Sequence, residues 1–143
     1  MTVVGLDFGE RRIGVAVSDP RGVAARPLRV IERSATGGLA ADIGRIREIV
    51  EARKVERLVV GLPLNMDGSA GPAARRARRF ANQLARETGL EVMLQDERLS
   101  TTQAERSLLF ADASRARRRE LRDAVAAALI LQAYLDSQPR SEQ

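Results

Sequence analysis

Three carboxylates in this chain could do chemistry: Asp7, Glu97 and Asp123. Asp7 stands inside VVGLDF, residues 3–8, a run otherwise apolar or glycine, where burying an unpaired carboxylate would be costly enough to force its neutralisation. Taken alone, it could cap the turn at Gly9 and Glu10, or pair with Arg11 or Arg12. Glu97 alone could be a surface acid beside Arg98, and Asp123 alone a first-turn acid favoured by a helix dipole. Convergence would change that reading. Three clustered carboxylates repel one another unless a cation sits among them, so in a basic protein such a cluster predicts a bound divalent metal.

Composition narrows what else could react. The 143 residues contain no cysteine and no histidine, which removes disulfides, thiolate nucleophiles, imidazole bases and Cys- or His-ligated zinc. Carboxylates, hydroxyls, arginines and a hard cation such as Mg²⁺ or Mn²⁺ remain. The net charge of +5 points weakly toward polyanionic partners, and all basic residues but Lys54 are arginine. The chain enters a strand at once, and no apolar run approaches membrane-spanning length, so a cytoplasmic protein with no membrane partner is expected.

The elements that must position the acids follow from periodicity. Val3 to Phe8 and Ile13 to Val17 read as a hairpin turning at Gly9-Glu10-Arg11, and Val23 to Ile31 as a third strand that Pro27 places near an edge. Leu39, Ile43, Ile46 and Val50 mark a helix, and Arg57 to Leu62 a buried strand parallel to an earlier one. A loop from Pro63 to Gly71 leads to a helix opened by Pro72, striped by Ala73, Ala77, Phe80 and Leu84, and closed by Gly89. Leu90 to Leu94 is a fifth strand delivering Asp96-Glu97-Arg98. Ser100 or Thr102 caps a helix carrying Ala104, Leu108 and Leu109, and Leu121 to Asp136 is a last apolar helix with Asp123 near its start. The order β-β-β-α-β-α-β-α-α gives an α/β fold: a mixed five-stranded sheet, a three-stranded antiparallel meander plus two parallel strands, with helices on both faces. Residues 1–138 are expected to form one domain and 139–143 a flexible tail. Asp7 and Glu97 would then point out of the carboxyl ends of strands, where open α/β sheets collect ligands.

Four blocks carry a resemblance: GLDFGERRIGVAVSD from Gly5, VVGLPLNMDGSAGP from Val59, DERLSTTQA from Asp96 and RDAVAAALILQAYLD from Arg122. In that order and spacing the chain resembles the YqgF family, also called RuvX. These are RNase H-like proteins proposed to resolve Holliday junctions and to process the small-subunit ribosomal RNA precursor. The resemblance implies an RNase H-like fold, with Asp7, Glu97 and Asp123 as the catalytic and metal-binding acids. It also implies two-metal phosphodiester hydrolysis, with two Mg²⁺ or Mn²⁺ ions roughly 3.5–4 Å apart, Asp7 bridging them, and 5′-phosphate and 3′-hydroxyl products. The second block would line the substrate cleft through Asn65 and Gly68.

Arg12, Arg98, the arginines of the second helix and Arg117, Arg118 and Arg119 would contact RNA or DNA, with pre-ribosomal particles as a further partner. The chain would act as a monomer or as a homodimer without disulfides. Phe8, Phe80 and Tyr134 lie on packing stripes, so recognition by backbone and shape is expected rather than a stacking platform. Two other classes keep the same features. A non-catalytic nucleic-acid or ribosome-associated module would share the fold and charge, and Asp7-Phe8-Gly9 with its returning strand also resembles the phosphate hairpin of actin-like ATP-binding proteins, which need two such lobes.

Overall fold

A computed structural model of the chain describes residues 1–99 and 114–139, with the backbone alone at 99, 115, 116 and 118–121. Alternating apolar residues broken only by Gly9-Glu10-Arg11 make the first hairpin. In it β1 (Val3–Phe8) pairs antiparallel with β2 (Arg12–Ser18), Phe8 lies opposite Ile13, and the Gly9 N–H donates to the Arg12 carbonyl at 2.9 Å. The third strand, β3 (Ala25–Glu32), starts later than the expected Val23. Asp19 turns the chain there: its carboxylate accepts the Val23 N–H at 2.8 Å and its amide donates to the Ala24 carbonyl at 3.0 Å, so Val23 and Ala24 belong to the turn. Pro27 falls at a register shift on this outermost strand, where a residue without an N–H costs no ladder bond.

Helix α1 (Gly38–Arg53) crosses over to β4 (Arg57–Leu62), which runs parallel to β1. Helix α2 (Pro72–Thr88), entered through Pro72 and stopped by Gly89 at φ +71°, leads to β5 (Glu91–Asp96), parallel to β4. The sheet order is β3-β2-β1-β4-β5. A single 3₁₀ turn, Glu97–Leu99, follows β5, so Glu97 stands just past the strand rather than at its end. The helix expected after Ser100 and Thr102 lies outside the described residues, as do residues 140–143 of the expected tail.

The last helix, α3 (Arg115–Ser137), begins at Arg115 rather than Leu121, with the Ser114 hydroxyl accepting the Arg117 N–H. Arginine, alanine, glutamate and leucine are good helix formers and nothing among them breaks the helix, whereas the apolar run marks only the part packed on the sheet. Asp123 therefore lies well inside the helix, not in its first turn.

Side chains alternate between two cores. Val4, Leu6, Ile13, Val15, Leu58 and Val60 face α1 and α2 and close over Phe80, Leu84, Ile43 and Ile46. Val3, Ala16 and Val59 face α3 and meet Ala127, Ile130, Leu131 and Tyr134. Each fully buried Leu, Ile or Phe in these cores contributes about 1.5–3 kcal/mol over its exposed state. Two stripes differ from expectation: α1 buries Ile49 more deeply than Val50, and α2 buries Ala74 in place of Ala73. Among the described residues no helix is long and apolar enough to cross a membrane.

Candidate active site

By the alternation along β1, Asp7 shares the α3 face with Val3 and Gly5, and it lies half-buried near the carboxyl end of the strand. Its cross-strand partner on β2 is Gly14, and one step beyond the Leu6–Val60 pair its neighbour on β4 is Gly61. Both glycines make room for another acid. A Cβ on Gly14 would overlap the backbone carbonyl of Asp123, so only glycine lets α3 sit this close to β2. A Cβ on Gly61 would lie 2.9 Å from Oε2 of Glu97 and 2.5 Å from Cδ1 of Ile130. Farther along, Gly5 lies under Ala127 and Leu131, and at the far end Arg57 donates to the Tyr134 hydroxyl at 2.8 Å. The axis of α3 is thus fixed from Asp123 to Tyr134. The structure brings Asp123 and Glu97 to either side of the strand position of Asp7. Among the described residues, however, no three His, Cys, Asp or Glu groups are gathered tightly enough to hold one ion.

Arg98 links the turn that carries Glu97 to the loop after β4. Its Nη2 donates to Asp96 Oδ2 at 2.8 Å, its Nε reaches both carboxylate oxygens at 3.1 and 3.2 Å, and its Nη1 donates to the Met66 carbonyl at 3.2 Å. The loop is braced from within. The Asn65 N–H donates to the Ser69 carbonyl at 2.9 Å, the Gly68 N–H to the Asn65 carbonyl at 2.8 Å, and the Asn65 side-chain amide to the Ser69 hydroxyl at 2.9 Å. Asp67 accepts the Ser69 N–H and hydroxyl at 2.9 and 2.6 Å, while Gly68, at φ +88°, turns the chain against the Arg98 guanidinium. Asn65, Gly68 and Arg98, expected as substrate contacts, are therefore brought together, and in the structure they build the loop.

This strut is acid-sensitive. Hydrogen bonds from the Arg98 side chain and then its amide hold the Asp96 carboxyl below its ordinary value of 3.8, and bonds from the Ser69 hydroxyl and amide lower Asp67 likewise. A depressed folded pKa adds stability above the unfolded value and loses it as pH falls through the folded one. Amide exchange at Gly68 and Ser69, corrected for its intrinsic pH dependence, is thus expected to be protected at about pH 5 and to quicken below about pH 4, ahead of global unfolding. In Asp96→Asn the protection should already be reduced at the higher pH.

A second brace, not anticipated from sequence, holds the hairpin turn beyond Asp7. Asp42 on α1 is fully buried and accepts Arg33 Nε at 3.2 Å and the Ser34 N–H at 2.8 Å. The Arg33 Nη1 donates to the carbonyls of Gly9 and Glu10, both at 3.2 Å, and the guanidinium lies 4.5 Å above the Phe8 ring, which itself stacks on Phe80 at 4.2 Å. The signal was present: Asp42 falls three residues after Leu39, on the apolar stripe of its helix.

The other expected basic contacts sit around the same end of the sheet. Arg12 opens β2 and pairs with Glu32 at 3.1 Å on the exposed surface, where such a pair is worth about 0–1 kcal/mol. Arg76 of α2 reaches Glu10 at 3.8 Å. Arg117 is exposed in the first turns of α3, while the side chains of Arg118 and Arg119 lie outside the described residues.

A five-stranded sheet ordered β3-β2-β1-β4-β5, antiparallel in its first three strands and helix-covered on both faces, is the RNase H-like fold, here with Asp7 near the carboxyl end of its central strand. The chain belongs to the RuvX family, described as Holliday junction resolvase, whose model matches residues 1–137. A protein of Pelotomaculum thermopropionicum named "Putative pre-16S rRNA nuclease" is 52% identical over 140 residues, covering 98% of this chain and 90% of its own. One of Moorella thermoacetica with the same name is 53% identical over 136 residues, 95% of each. Among solved structures, Thermus thermophilus RuvC in complex with a Holliday junction substrate matches with a TM-score of 0.61 at 19% identity, over 96% of this chain and 97% of its own, a likeness of fold. The chain is a nuclease by class, a hydrolase of phosphodiester bonds, and the ATP-binding alternative falls away.

Proposed function

We propose that Asp7, Glu97 and Asp123 form a carboxylate site that hydrolyses phosphodiester bonds of structured nucleic acid, with the 5′ end of the 16S rRNA precursor as substrate. The observation that carries this reading is the placement of Asp7 between Gly14 and Gly61, with the Asp123 backbone on the first and the Glu97 carboxylate on the second. The donors are all carboxylate oxygens in a chain without histidine or cysteine, which fits Mg²⁺ or Mn²⁺. When bound, two such ions would activate the attacking water and offset charge on the leaving 3′ oxygen.

The chain's own part is positional. Strand pairing fixes Asp7, the close seat of α3 on Gly14 fixes the Asp123 backbone, and the Asp96–Arg98 strut fixes the turn bearing Glu97. To hold an ion the three side chains would have to turn toward one another, since they are not gathered tightly enough to do so as they stand. Residues 1–138 act as one unit, in the cytoplasm, on pre-ribosomal RNA. A DNA four-way junction is the second reading, favoured by the family's description and by the fold neighbour solved with such a substrate.

Labelled precursor RNA spanning the 16S 5′ end and a labelled DNA four-way junction, each incubated with Mg²⁺ or Mn²⁺, decide between these readings. Faster cleavage of the RNA is expected. Faster cleavage of the junction would move the assignment to DNA, and tight binding with no metal-dependent cleavage of either would leave a binding module. Arg117, Arg118 and Arg119 changed together to Ala should weaken binding and flatten its salt dependence, each lost phosphate contact removing about 0.9 from the log–log slope on duplex DNA and about 0.7 on single strands. Thermal stability should hardly move. An unchanged slope would shift the footprint to Arg75, Arg76, Arg78 and Arg79.

A further inference from the structure

Among the described residues, four large apolar side chains stand open to solvent: Met1, Val23, Leu94 and Met66, the last at 86%. Met1 and Val23 lie at the end of the sheet away from Asp7, where the Met1 amino group donates to the Pro20 carbonyl in the turn between β2 and β3. Leu94 lies within β5, the strand at the sheet's edge. Met66 stands at the carboxyl end, in the loop after β4.

A lone exposed methionine on a loop ordinarily needs no explanation. Met66 differs in how it is held. Its backbone is the tip of a loop closed by Asn65, Asp67, Gly68 and Ser69, and its carbonyl is gripped by Arg98, the chain neighbour of Glu97. The loop therefore keeps an apolar side chain in the water at a fixed place relative to one of the site's acids. The aromatic groups that would ordinarily meet a base are committed elsewhere among the described residues: Phe8 stacks on Phe80, and Tyr134 is buried against Arg57.

We propose that Met66 is the base-contacting wedge of this site, its side chain sliding against the nucleobases at the step being cut while Asn65, Gly68 and Arg98 hold its backbone. The proposal rests on the nuclease reading above. Proteins that unstack a base step insert an apolar side chain, methionine among them, and the long polarizable thioether adapts to any base face. Unstacking is easiest where pairing already ends, so the wedge would favour junctions between paired and unpaired strands.

The test uses full-length protein and a stem-and-flank RNA with 2-aminopurine at the junction between its paired and unpaired parts. In an Asp7→Asn background, binding is expected to raise the 2-aminopurine fluorescence. Adding Met66→Ala should abolish the rise, Met66→Leu should keep it, and the thermal midpoint should stay unchanged. In the cleaving protein, Met66→Ala should lower kcat/KM about ten- to a hundredfold on a paired step, and clearly less on the same RNA with a mismatch there. A fluorescence rise that survives Met66→Ala, or an equal loss on paired and mismatched steps, overturns the proposal. Failure of the native protein to cleave any substrate would sink the nuclease reading instead, while the fluorescence comparison would still decide the wedge.

Discussion

Asp7→Asn, Glu97→Gln and Asp123→Asn, made singly, are each expected to lower cleavage by orders of magnitude while the protein stays folded. On the proposal that the three acids serve one site, loss of any one should remove most of what all three provide, and the double variants should lose little more than the singles. Kinetics on one RNA substrate, with urea unfolding of each variant alongside, check this. Additive losses would mean that the acids act separately. Mg²⁺ or Mn²⁺ should also raise the thermal midpoint of the native protein, as any ligand of the folded state alone must, and Asp7→Asn should lose most of that rise. Mn²⁺ should support turnover at least as well as Mg²⁺, being more tolerant of geometry, whereas Ca²⁺, with longer bonds and higher coordination, should bind without supporting it.

The second large effect concerns two glycines. Gly14→Ala would drive a methyl into the Asp123 backbone, and because the obstacle is main chain, relief requires α3 to move as a body. Overpacking of this kind costs about 3 kcal/mol or more, and the shift carries Asp123 away from Asp7, so stability and cleavage should fall together. At Gly61 the nearest atoms are the ends of flexible side chains, Ile130 Cδ1 and Glu97 Oε2. Gly61→Ala should therefore cost less stability than Gly14→Ala, yet still suppress cleavage by displacing the Glu97 carboxylate. Chemical denaturation and kcat on both variants separate the two cases. If Gly14→Ala kept full activity, the close seat of α3 would have no bearing on the chemistry.

Much of the frame was legible because single residues have single uses. Pro72 and Gly89 bound α2 as their backbone preferences require, Pro27 marked the outer strand, and the apolar density of Arg57 to Leu62 gave a buried strand parallel to an earlier one. What escaped depends on contacts distant in sequence. Periodicity cannot choose between adjacent alanines, so Ala74 was missed for Ala73, and a helix start rich in arginine, with no apolar stripe in its sequence, hid the entry of α3 at Arg115. At the candidate site, the position of Asp7 near the end of an apolar strand was readable. What brings the Asp123 backbone and the Glu97 carboxylate to the two flanks of Asp7 was not, since it lies in Gly14 and Gly61, whose small size matters only once α3 and the Glu97 turn are laid over them. Arg33 escaped for the same reason, its carbonyl partners lying in a turn more than twenty residues away, whereas Asp42, which holds the nearby Arg33 and Ser34, was marked only by its place on the apolar stripe of α1.

The most direct measurement is cleavage of end-labelled RNA by the native protein and by Asp7→Asn, with and without Mn²⁺, with the chemical identity of the product ends read from the same reactions. A carboxylate site of the kind described should cleave only with the metal, leave 5′-phosphate and 3′-hydroxyl ends, and lose activity by orders of magnitude in Asp7→Asn. Chelator-resistant cleavage, 2′,3′-cyclic phosphate ends, or an Asp7→Asn rate equal to that of the native protein would contradict it.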